Sequence, residues 1–401
     1  WFLILIVVAP SQVRSLVGTE RQGQAMGLLL GATAPVSLAG APLMGLISDR
    51  ARSVFGRRRV FIVPGAIIFS LGVLWMVGLA RSYPEYCVAY AFVRVAEQVV
   101  WSPFNGLVAD VTPHAQRGLA SGIMGATANL GNFGGAVAGI GYGAMGPRVT
   151  ALVMAATMLV GTAATCLATQ ETPTHLAPRP VPLKPAAVLR RLLDPFKARD
   201  FTWVFLTRLL FQMGVYTVQE FLQYFFDQAV ELPDGMGAEG AVSYGMLCLM
   251  TSATITSTGG GALSDALGGR RKALVYAAGL VMAASVLLLV CLPEVPLGAA
   301  FGCLAMFGVG YGCYLAVDFA MLLDVLPDRK DAAKDVAVWS TALTLPQMLA
   351  TPVGGLLLDH FQAVGLRTDP QSILGFRVTF GVAAAYLVLS VVLVRCVRGV
   401  K

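Results

Sequence analysis

The stretch that decides the fold reads Gly45-Leu-Ile-Ser-Asp49, followed at a short distance by Gly56-Arg-Arg-Arg59. A close copy occurs later in the chain as Gly261-Ala-Leu-Ser-Asp265, followed by Gly269-Arg-Arg-Lys272. The two aspartates are 216 residues apart. A second pair, Asp110-Val-Thr-Pro113 and Asp324-Val-Leu-Pro327, repeats at an offset of 214 residues. Two repeats at nearly one offset indicate an internal duplication of a unit about half the length of the chain.

The composition indicates an integral membrane protein. Of the 401 residues, 56% are hydrophobic and 13% are charged, whereas a soluble domain carries about 25% charged residues. The apolar residues form runs that are too long and continuous for barrel strands, so we expect membrane-spanning helices. We predict twelve spans, at roughly 1–18, 24–47, 60–80, 84–109, 118–141, 148–168, 201–227, 240–264, 273–292, 296–323, 335–358 and 374–397. The chain starts inside an apolar run at Trp1, so the first span is expected to be truncated.

The basic residues predict the orientation of these spans. Of the 29 Lys and Arg residues, 21 lie in the loops after the even-numbered spans or in the C-terminal tail, and five lie on the opposite side. Because cytoplasmic loops carry the excess of Lys and Arg, both termini are predicted to be cytoplasmic. The net charge of +7 therefore orients the protein and does not require a nucleic-acid partner. A plasma or inner membrane is the expected location, with an organelle membrane as the alternative.

The chain divides into two six-helix halves, residues 1–168 and 201–401, joined by a cytoplasmic linker over 169–200. The linker is rich in proline and ends in an amphipathic stretch over 186–197. This stretch reads either as a short helix lying at the membrane interface or as a plain tether between the halves.

The repeated motif resembles the signature of the major facilitator superfamily, which lies between the second and third spans. Gly45, Asp49, Arg50, Gly56 and the two following arginines match it. The variant Ser48-Asp-Arg-Ala-Arg-Ser-Val-Phe-Gly-Arg-Arg-Arg59 and the stretch Gly310-Tyr-Gly-Cys-Tyr-Leu-Ala-Val-Asp318 resemble the branch of sucrose/proton and glycoside/cation symporters. The resemblance implies an all-α fold of twelve transmembrane helices in two halves, and solute transport driven by an ion gradient.

A charged cluster at the cytoplasmic ends of the helices is expected to act as a gate. Aspartates at helix ends can pair with arginines and accept hydrogen bonds from helix N-termini, so the cluster can hold one side closed. The alternative is that these arginines set the topology and bind anionic lipid. The expected gate comprises Gly45, Asp49, Arg50, Gly56, Arg57, Arg58, Asp110, Arg117, Asp265, Arg270, Arg271 and Asp324.

Several ionisable residues fall at bilayer depth, where they are costly and usually face a cavity or a partner. Arg94 and Glu97 lie one turn apart on one helical face and can neutralise each other. Arg14 and Glu220 lie near predicted span ends, where snorkelling to the interface explains them. Polar stripes at helical spacing run along spans 4, 5, 7, 10 and 11, and either line a cavity or join packed helices. The candidate solute-binding residues are Arg94, Gln98, Trp101, Asn105, Asn129, Arg208, Gln212, Tyr216, Gln219, Gln223, Tyr311, Tyr314, Trp339 and Gln347.

A cavity lined by amides, phenols and indoles suits a neutral polar solute such as a sugar or glycoside. A carboxylate there has a raised proton affinity unless it is paired, so Glu97, and after it Asp318, are the candidate proton carriers. Two alternatives remain: a transporter of a lipid-like or pigment-like amphiphile, and a non-transporting membrane subunit of a larger complex. The chain has no P-loop and no G-x-S-x-G motif, and neither enzyme activity, nor a cofactor, nor a metal is predicted.

Overall fold

The computed structural model describes residues 2–112, 117–171, 193–266, 271–292, 295–325 and 332–398. Within these ranges the chain forms twelve α-helices. They are α1 (Ala9–Val17), α2 (Gln22–Arg50), α3 (Arg59–Val73), α4 (Tyr83–Val111), α5 (Arg117–Ile140), α6 (Tyr142–Ala168), α7 (Arg199–Ala229), α8 (Ala238–Ala266), α9 (Arg271–Cys291), α10 (Leu297–Val325), α11 (Ala332–Thr368) and α12 (Leu374–Val394).

The predicted all-α membrane fold is confirmed. Among the described residues, eight helices are long and apolar enough to cross a membrane. They are α2, α3, α6, α7 and α9–α12. The other four each correspond to a predicted span, and α4 owes its lower hydropathy to charged residues that include Arg94 and Glu97.

Local irregularities follow the sequence. The π-helix Ile4–Val8 leads into α1, and the π-helix Leu74–Leu79 continues α3. Gly146, with φ of 72°, and Pro147 interrupt α6 near its start, because proline cannot continue the hydrogen-bond ladder of a preceding turn. A parallel pair of two-residue strands, β1 (Val230–Glu231) and β2 (Val295–Pro296), joins the loops that precede α8 and α10.

The bundle has two ends, which we name by their loops. The linker end carries the loops after α2 and α4 and the start of α7, and the far end carries the loops after α1, α3, α7 and α11. The predicted interfacial helix over 186–197 lies outside the described residues except for 193–197, where Asp194–Lys197 forms one short 3₁₀-helix.

The two halves pack against each other where α2 meets α11. Lipid tails are as apolar as leucine, so helices in membranes associate through close packing of small residues. Gly23, Gly27 and Gly31 lie at intervals of four along α2. A Cβ atom built on Gly27 would lie 2.8 Å from the Cα of Pro352, and one built on Gly31 would lie 2.8 Å from its Cγ. The glycines therefore allow the two backbones to approach.

Further contacts between the halves lie near the far end. The Ser11 hydroxyl donates a hydrogen bond to the Glu239 carboxylate at 3.0 Å, and Arg14 pairs with Asp227. The Tyr224 hydroxyl donates to the carbonyl of Pro10 at 3.2 Å. The inter-half contacts of α1 and α2 thus gather toward the far end.

Candidate functional site: charged pairs and cavities between the halves

A small polar cavity lies where α2, α4, α7 and α11 meet. Its volume is about 20 Å³, which is room for about one water molecule. The polar residues that line it are Thr33, Ser37, Tyr90, Arg94, Glu220, Thr344 and Gln347. They come from both halves, so a relative movement of the halves would change the cavity.

Arg94 is held inside the N-terminal half. Its guanidinium pairs with Glu97 at 2.5 Å and also donates a hydrogen bond to the Ser37 hydroxyl of α2. The Arg94 residue is 8% exposed. The predicted neutralisation of Arg94 by Glu97 one turn away is therefore present.

The interpretation of Glu220 as a snorkelling side chain is wrong. Glu220 is 2% exposed and lines the small cavity together with Arg94. Both the predicted span, which ended at 227, and the observed helix, which ends at Ala229, extend about two turns beyond Glu220, so this residue was wrongly treated as lying at a span end. Arg14, in contrast, is partly exposed and pairs with Asp227 at the far end.

The C-terminal half carries a second buried charge pair. Arg208 on α7 pairs with Asp318 on α10, and both side chains are almost fully buried. The guanidinium carbon of Arg208 lies 3.3 Å from the centre of the Trp339 ring on α11. Tyr314 lies one turn before Asp318 and stacks on Phe211, with ring centres 3.6 Å apart. Three predicted stripes therefore meet at this pair.

Some buried polar atoms near this pair lack hydrogen-bond partners. Among the described residues, neither polar atom of the Gln212 amide makes a hydrogen bond, nor do Asp318 Oδ1 and Arg208 Nε. Gln212 is fully buried and lies beside the Tyr311 hydroxyl. Tyr216, the next residue of the α7 stripe, contacts Gln347. Since buried polar groups are usually satisfied, this cluster has unused capacity for hydrogen bonding.

A larger cavity of about 260 Å³ lies between α5 of the first half and α7, α8 and α10 of the second. Gln219 and Tyr311 line it, as do Asn132, Thr254 and Ser257. These groups supply amide and hydroxyl donors and acceptors without a formal charge. Thr254 and Ser257 lie on the part of α8 that leads to the linker end.

Other predicted binding residues join helices to each other. Gln98 is buried against Gly40 of α2, where a built Cβ atom would lie 2.6 Å from the Gln98 Cγ. The Gln223 amide nitrogen, in the orientation assigned from its hydrogen bonds, donates to the carbonyls of Ile6 and Val7 at 2.8 and 3.0 Å. These two glutamines therefore match the alternative of helix–helix contacts.

Two predicted residues of α4 lie away from Arg94. Trp101 is 54% exposed, and the Asn105 amide donates to the Trp101 carbonyl at 2.9 Å. Trp101 and Phe104 line a separate, mostly apolar groove of about 630 Å³ bounded by α3, α4, α5, α6 and the N-terminal residues Phe2 and Leu3. The side chain of Asn129 lies outside the described residues.

The predicted gate forms an ion-pair cluster in the first half. Asp110, at the end of α4, accepts hydrogen bonds from Arg57 at 2.6 and 3.2 Å and from Arg58 at 3.0 Å. Arg58, 5% exposed, also donates to the Ser48 hydroxyl at 2.6 Å. Partial burial raises the pKa of Asp110, but the hydrogen bonds and charges of the two arginines outweigh it, so the pKa lies below its ordinary value.

The start of the linker also belongs to this cluster, which the sequence did not reveal. The Glu171 carboxylate accepts the backbone N–H of Arg58 at 2.9 Å and of Arg59 at 3.2 Å. It thereby caps the N-terminus of α3, where a negative charge is stabilising. Gly56 has φ of +95° and lies against the Glu171 side chain, so the signature glycine is required both for its backbone conformation and for space.

The second half repeats the gate pair. Arg271 pairs with Asp324, and these residues are separated by 53 positions, as are Arg57 and Asp110. Of the other expected gate residues, Gly45 packs near Ser102, and Arg50 is exposed with polar interactions of its own. The side chains of Asp49, Arg117 and Asp265, and all of Arg270, lie outside the described residues.

Asp359 is a further residue that the sequence analysis missed. It lies on α11 and is 6% exposed. Its carboxylate accepts the backbone N–H groups of Gly23 and Gln24, at 3.0 and 2.8 Å, in the first turn of α2. One half thus caps a helix of the other. The glycine spacing on α2 could have signalled a helix contact, but no pattern in the sequence pairs it with Asp359.

A family model described as Major Facilitator Superfamily matches residues 2–327 and 236–401. The chain belongs to the major facilitator superfamily. The family and the transporter-like fold identify it as a multi-pass membrane transporter rather than an enzyme.

Solved structures with this fold cover nearly the whole chain. A bacterial homolog of the human lysosomal transporter Spinster, in an inward-facing and unoccupied conformation, has a TM-score of 0.75 at 16% identity, covering 100% of this chain and 93% of that one. The nucleoside transporter NupG has a TM-score of 0.72 at 11% identity, covering 99% and 95%. The peptide transporter POT in complex with sulfate has a TM-score of 0.71 at 16% identity, covering 100% and 92%.

A curated relative matches part of the chain. Sucrose transport protein SUC4 of Arabidopsis thaliana is 32% identical over 91 aligned residues, which are 19% of this chain and 18% of that protein. The match therefore spans less than one fifth of that relative's length.

Proposed function

We propose that this major facilitator protein is a secondary active transporter that moves a neutral polar solute, such as a sugar or glycoside, together with protons. The observation that carries the proposal is a buried charged pair, Arg94–Glu97, whose arginine lines a cavity between the two halves. A second buried pair, Arg208–Asp318, lies in the C-terminal half near Tyr311, which lines the larger cavity. Ionised groups at this depth are costly in a membrane, so their retention favours a role in transport.

The larger cavity, which lies between the halves and is lined by α5, α7, α8 and α10, is the proposed solute site. Its volume of about 260 Å³ is slightly below the roughly 300–1,000 Å³ typical of drug-sized ligands, which suits a small solute. Gln219, Asn132 and Tyr311 offer amide and phenol groups to hydroxyls, and the Tyr311 ring offers an apolar face for a sugar ring. The partial similarity to the sucrose transport protein supports this class of solute.

The orientation proposed from the basic loops places the linker end in the cytoplasm. The contacts of α1 and α2 with the other half lie toward the far end, so this conformation corresponds to the state open to the cytoplasm. Transport then requires the halves to separate at the far end and to meet at the linker end. The Arg57–Asp110 and Arg271–Asp324 pairs each join helices of one half while this end is open, and we propose that the two clusters meet when the gate there closes.

Uptake into proteoliposomes tests this proposal. Wild-type protein should accumulate a labelled monosaccharide or disaccharide when the outside is acidic, and Glu97→Gln should abolish accumulation while exchange of solute continues. Glu231→Gln, at an exposed position in the far-end loop, serves as the control. Wild-type protein that equilibrates a sugar without accumulating it would overturn proton coupling, whereas undiminished accumulation by Glu97→Gln would overturn the role of Glu97 in that coupling.

One observation favours transport of an amphiphile as a second candidate function. The groove beside Trp101 is large and lined mainly by apolar side chains and glycines. Ligand binding raises the apparent stability of the folded protein by mass action. A thermal-stability screen of sugars against lysolipids therefore separates the candidates: stabilisation by lysolipids, lost in Trp101→Ala, favours the amphiphile, and stabilisation by sugars favours the first proposal.

A further inference from the structure

Glu220 is a buried carboxyl that the proposed charge pairs do not use. It is 2% exposed, and its Oε2 atom makes no hydrogen bond with any described residue. Glu220 also lines the small cavity between the halves, which has room for one water molecule. A carboxylate with a buried oxygen that accepts no hydrogen bond is strongly disfavoured in such surroundings, and the neutral acid is less so.

The groups that face Glu220 include one cation. From α4, Arg94 and Tyr90 face it, and along α7 its ionisable neighbours are Tyr216 and Tyr224. The neighbours contributed by the π-helix Ile4–Val8, by α2 and by α11 are neutral: Leu5, Leu30, Thr33, Ala34, Ser37, Thr344, Gln347 and Met348.

The one facing cation is engaged elsewhere in this conformation. Arg94 is paired with Glu97 at 2.5 Å and bound to Ser37. One guanidinium thus serves two carboxyl groups, Glu97 of its own helix and Glu220 of the opposite half. If both carboxyls were ionised the cluster would carry one net negative charge, and if one of them is protonated the cluster is neutral.

We propose, on the basis of the symport function proposed above, that Glu220 binds the transported proton and that Arg94 is shared between Glu97 and Glu220. In the present conformation the Arg94–Glu97 pair is closed and Glu220 holds the proton. When α7 shifts relative to α4 while the linker end is still open, Arg94 turns toward Glu220. The O–H bond of Glu220 then breaks, its proton passes to water in the cavity, and the new carboxylate pairs with Arg94.

Infrared difference spectroscopy on the full chain in liposomes tests this proposal, because a protonated carboxyl has its own C=O stretching band. The wild-type spectrum at neutral pH should contain a component that Glu220→Gln removes. Glu97→Gln frees Arg94 to pair with Glu220, so it should also remove the component, whereas the exposed control Glu231→Gln should leave it in place. Glu220→Asp keeps an acid at the same position, so it should restore the component at a shifted frequency and show that the loss does not reflect misfolding.

Two results would overturn the proposal: a protonated-carboxyl spectrum unchanged in Glu220→Gln, or a component that persists in Glu97→Gln, where Arg94 has lost its other partner. The measurement contains no solute. Failure of the wild-type protein to accumulate any sugar therefore overturns the proposed function alone, whereas a band that does not depend on Glu220 overturns the proton site alone.

Discussion

Arg208 lies with its guanidinium carbon 3.3 Å from the centre of the Trp339 ring, and the same guanidinium pairs with Asp318. The ring face carries partial negative charge, so it stabilises the cation beside its carboxylate partner. Three helices of one half, α7, α10 and α11, are joined at this point. Charge balance at this buried site therefore depends on Arg208.

Breaking this pair from one side should destabilise the protein strongly. Asp318→Asn leaves Arg208 buried without its carboxylate, and we expect the free energy of unfolding to fall by about 3–5 kcal/mol. The double variant Arg208→Gln with Asp318→Asn leaves no charge, so its loss should be clearly smaller. Thermal unfolding in detergent measures both. The control Asp194→Asn breaks the exposed pair with Lys197 and should cost less than about 1 kcal/mol. Equal losses of stability in the single and double Asp318 variants would show that the unpaired Arg208 charge is not the cause of the destabilisation.

The duplication in the sequence was sufficient to predict the fold and the repeated Arg–Asp pairs. The offset of 214 residues that relates Asp110 to Asp324 also relates Arg57 to Arg271, and both pairs are present. This worked because the motif acts locally, between neighbouring helices of one half. Each half repeats the same local arrangement, so a sequence repeat becomes a structural repeat.

Contacts between the halves could not be predicted in the same way. Asp359 and Gly23 are 336 residues apart, and their contact depends on how two halves dock. The polar stripe of α7 could not be resolved from the sequence for the same reason. Arg208 pairs with Asp318, Gln219 lines a cavity, and Gln223 donates hydrogen bonds to the carbonyls of residues 6 and 7. A long helix passes different neighbours along its length, and periodicity identifies a face but not the partner of each residue.

The glycine contact between α2 and α11 should be sensitive to a single methyl group. In Gly27→Ala the new Cβ would lie 2.8 Å from the Cα of Pro352 and 3.0 Å from the carbonyl oxygen of Thr351. Neither backbone atom can move aside easily, so we expect a loss of about 1–3 kcal/mol. The control is Gly302→Ala on α10, where nothing lies within 4 Å of the built Cβ and alanine is favoured over glycine by about 1 kcal/mol.

Thermal unfolding distinguishes these two glycine variants. Gly27→Ala should unfold at a lower temperature than the wild type, and Gly302→Ala at the same or a higher temperature. Equal effects of the two substitutions would show that the α2–α11 contact is not tightly packed.

Asp359 should hold the far end closed. Asparagine has one acceptor oxygen and no charge, so Asp359→Asn cannot serve the N–H groups of both Gly23 and Gln24 as the carboxylate does. Hydrogen bonds to charged groups contribute about 1.5–3 kcal/mol, and we therefore expect the population of far-end-open molecules to rise at least tenfold. Spin labels at Thr19 and Leu366, in a background without native cysteines, report the separation of the halves.

The control for this measurement is Asp369→Asn, an exposed carboxylate in the far-end loop that accepts a hydrogen bond from the nearby Gln371 backbone. Its label distances should match those of the wild type. Unchanged distances in Asp359→Asn would show that the cap contributes nothing to closure.

The gate pair in the first half has a pH dependence whose sign follows from Asp110. Its pKa in the folded protein lies below the ordinary 3.8, so the pair stabilises the folded state above the unfolded pKa and is lost as the pH falls through the folded pKa. Because Asp110 is about one-third exposed, we expect Asp110→Asn to lower stability by only about 1 kcal/mol. The difference in stability between wild type and variant should stay constant from about pH 8 to pH 5 and shrink below that range.

Unfolding temperatures measured across this pH series test the prediction, with Glu231→Gln as the exposed control. A difference that already vanishes near neutral pH would show that Asp110 is not an ionised partner of Arg57 and Arg58.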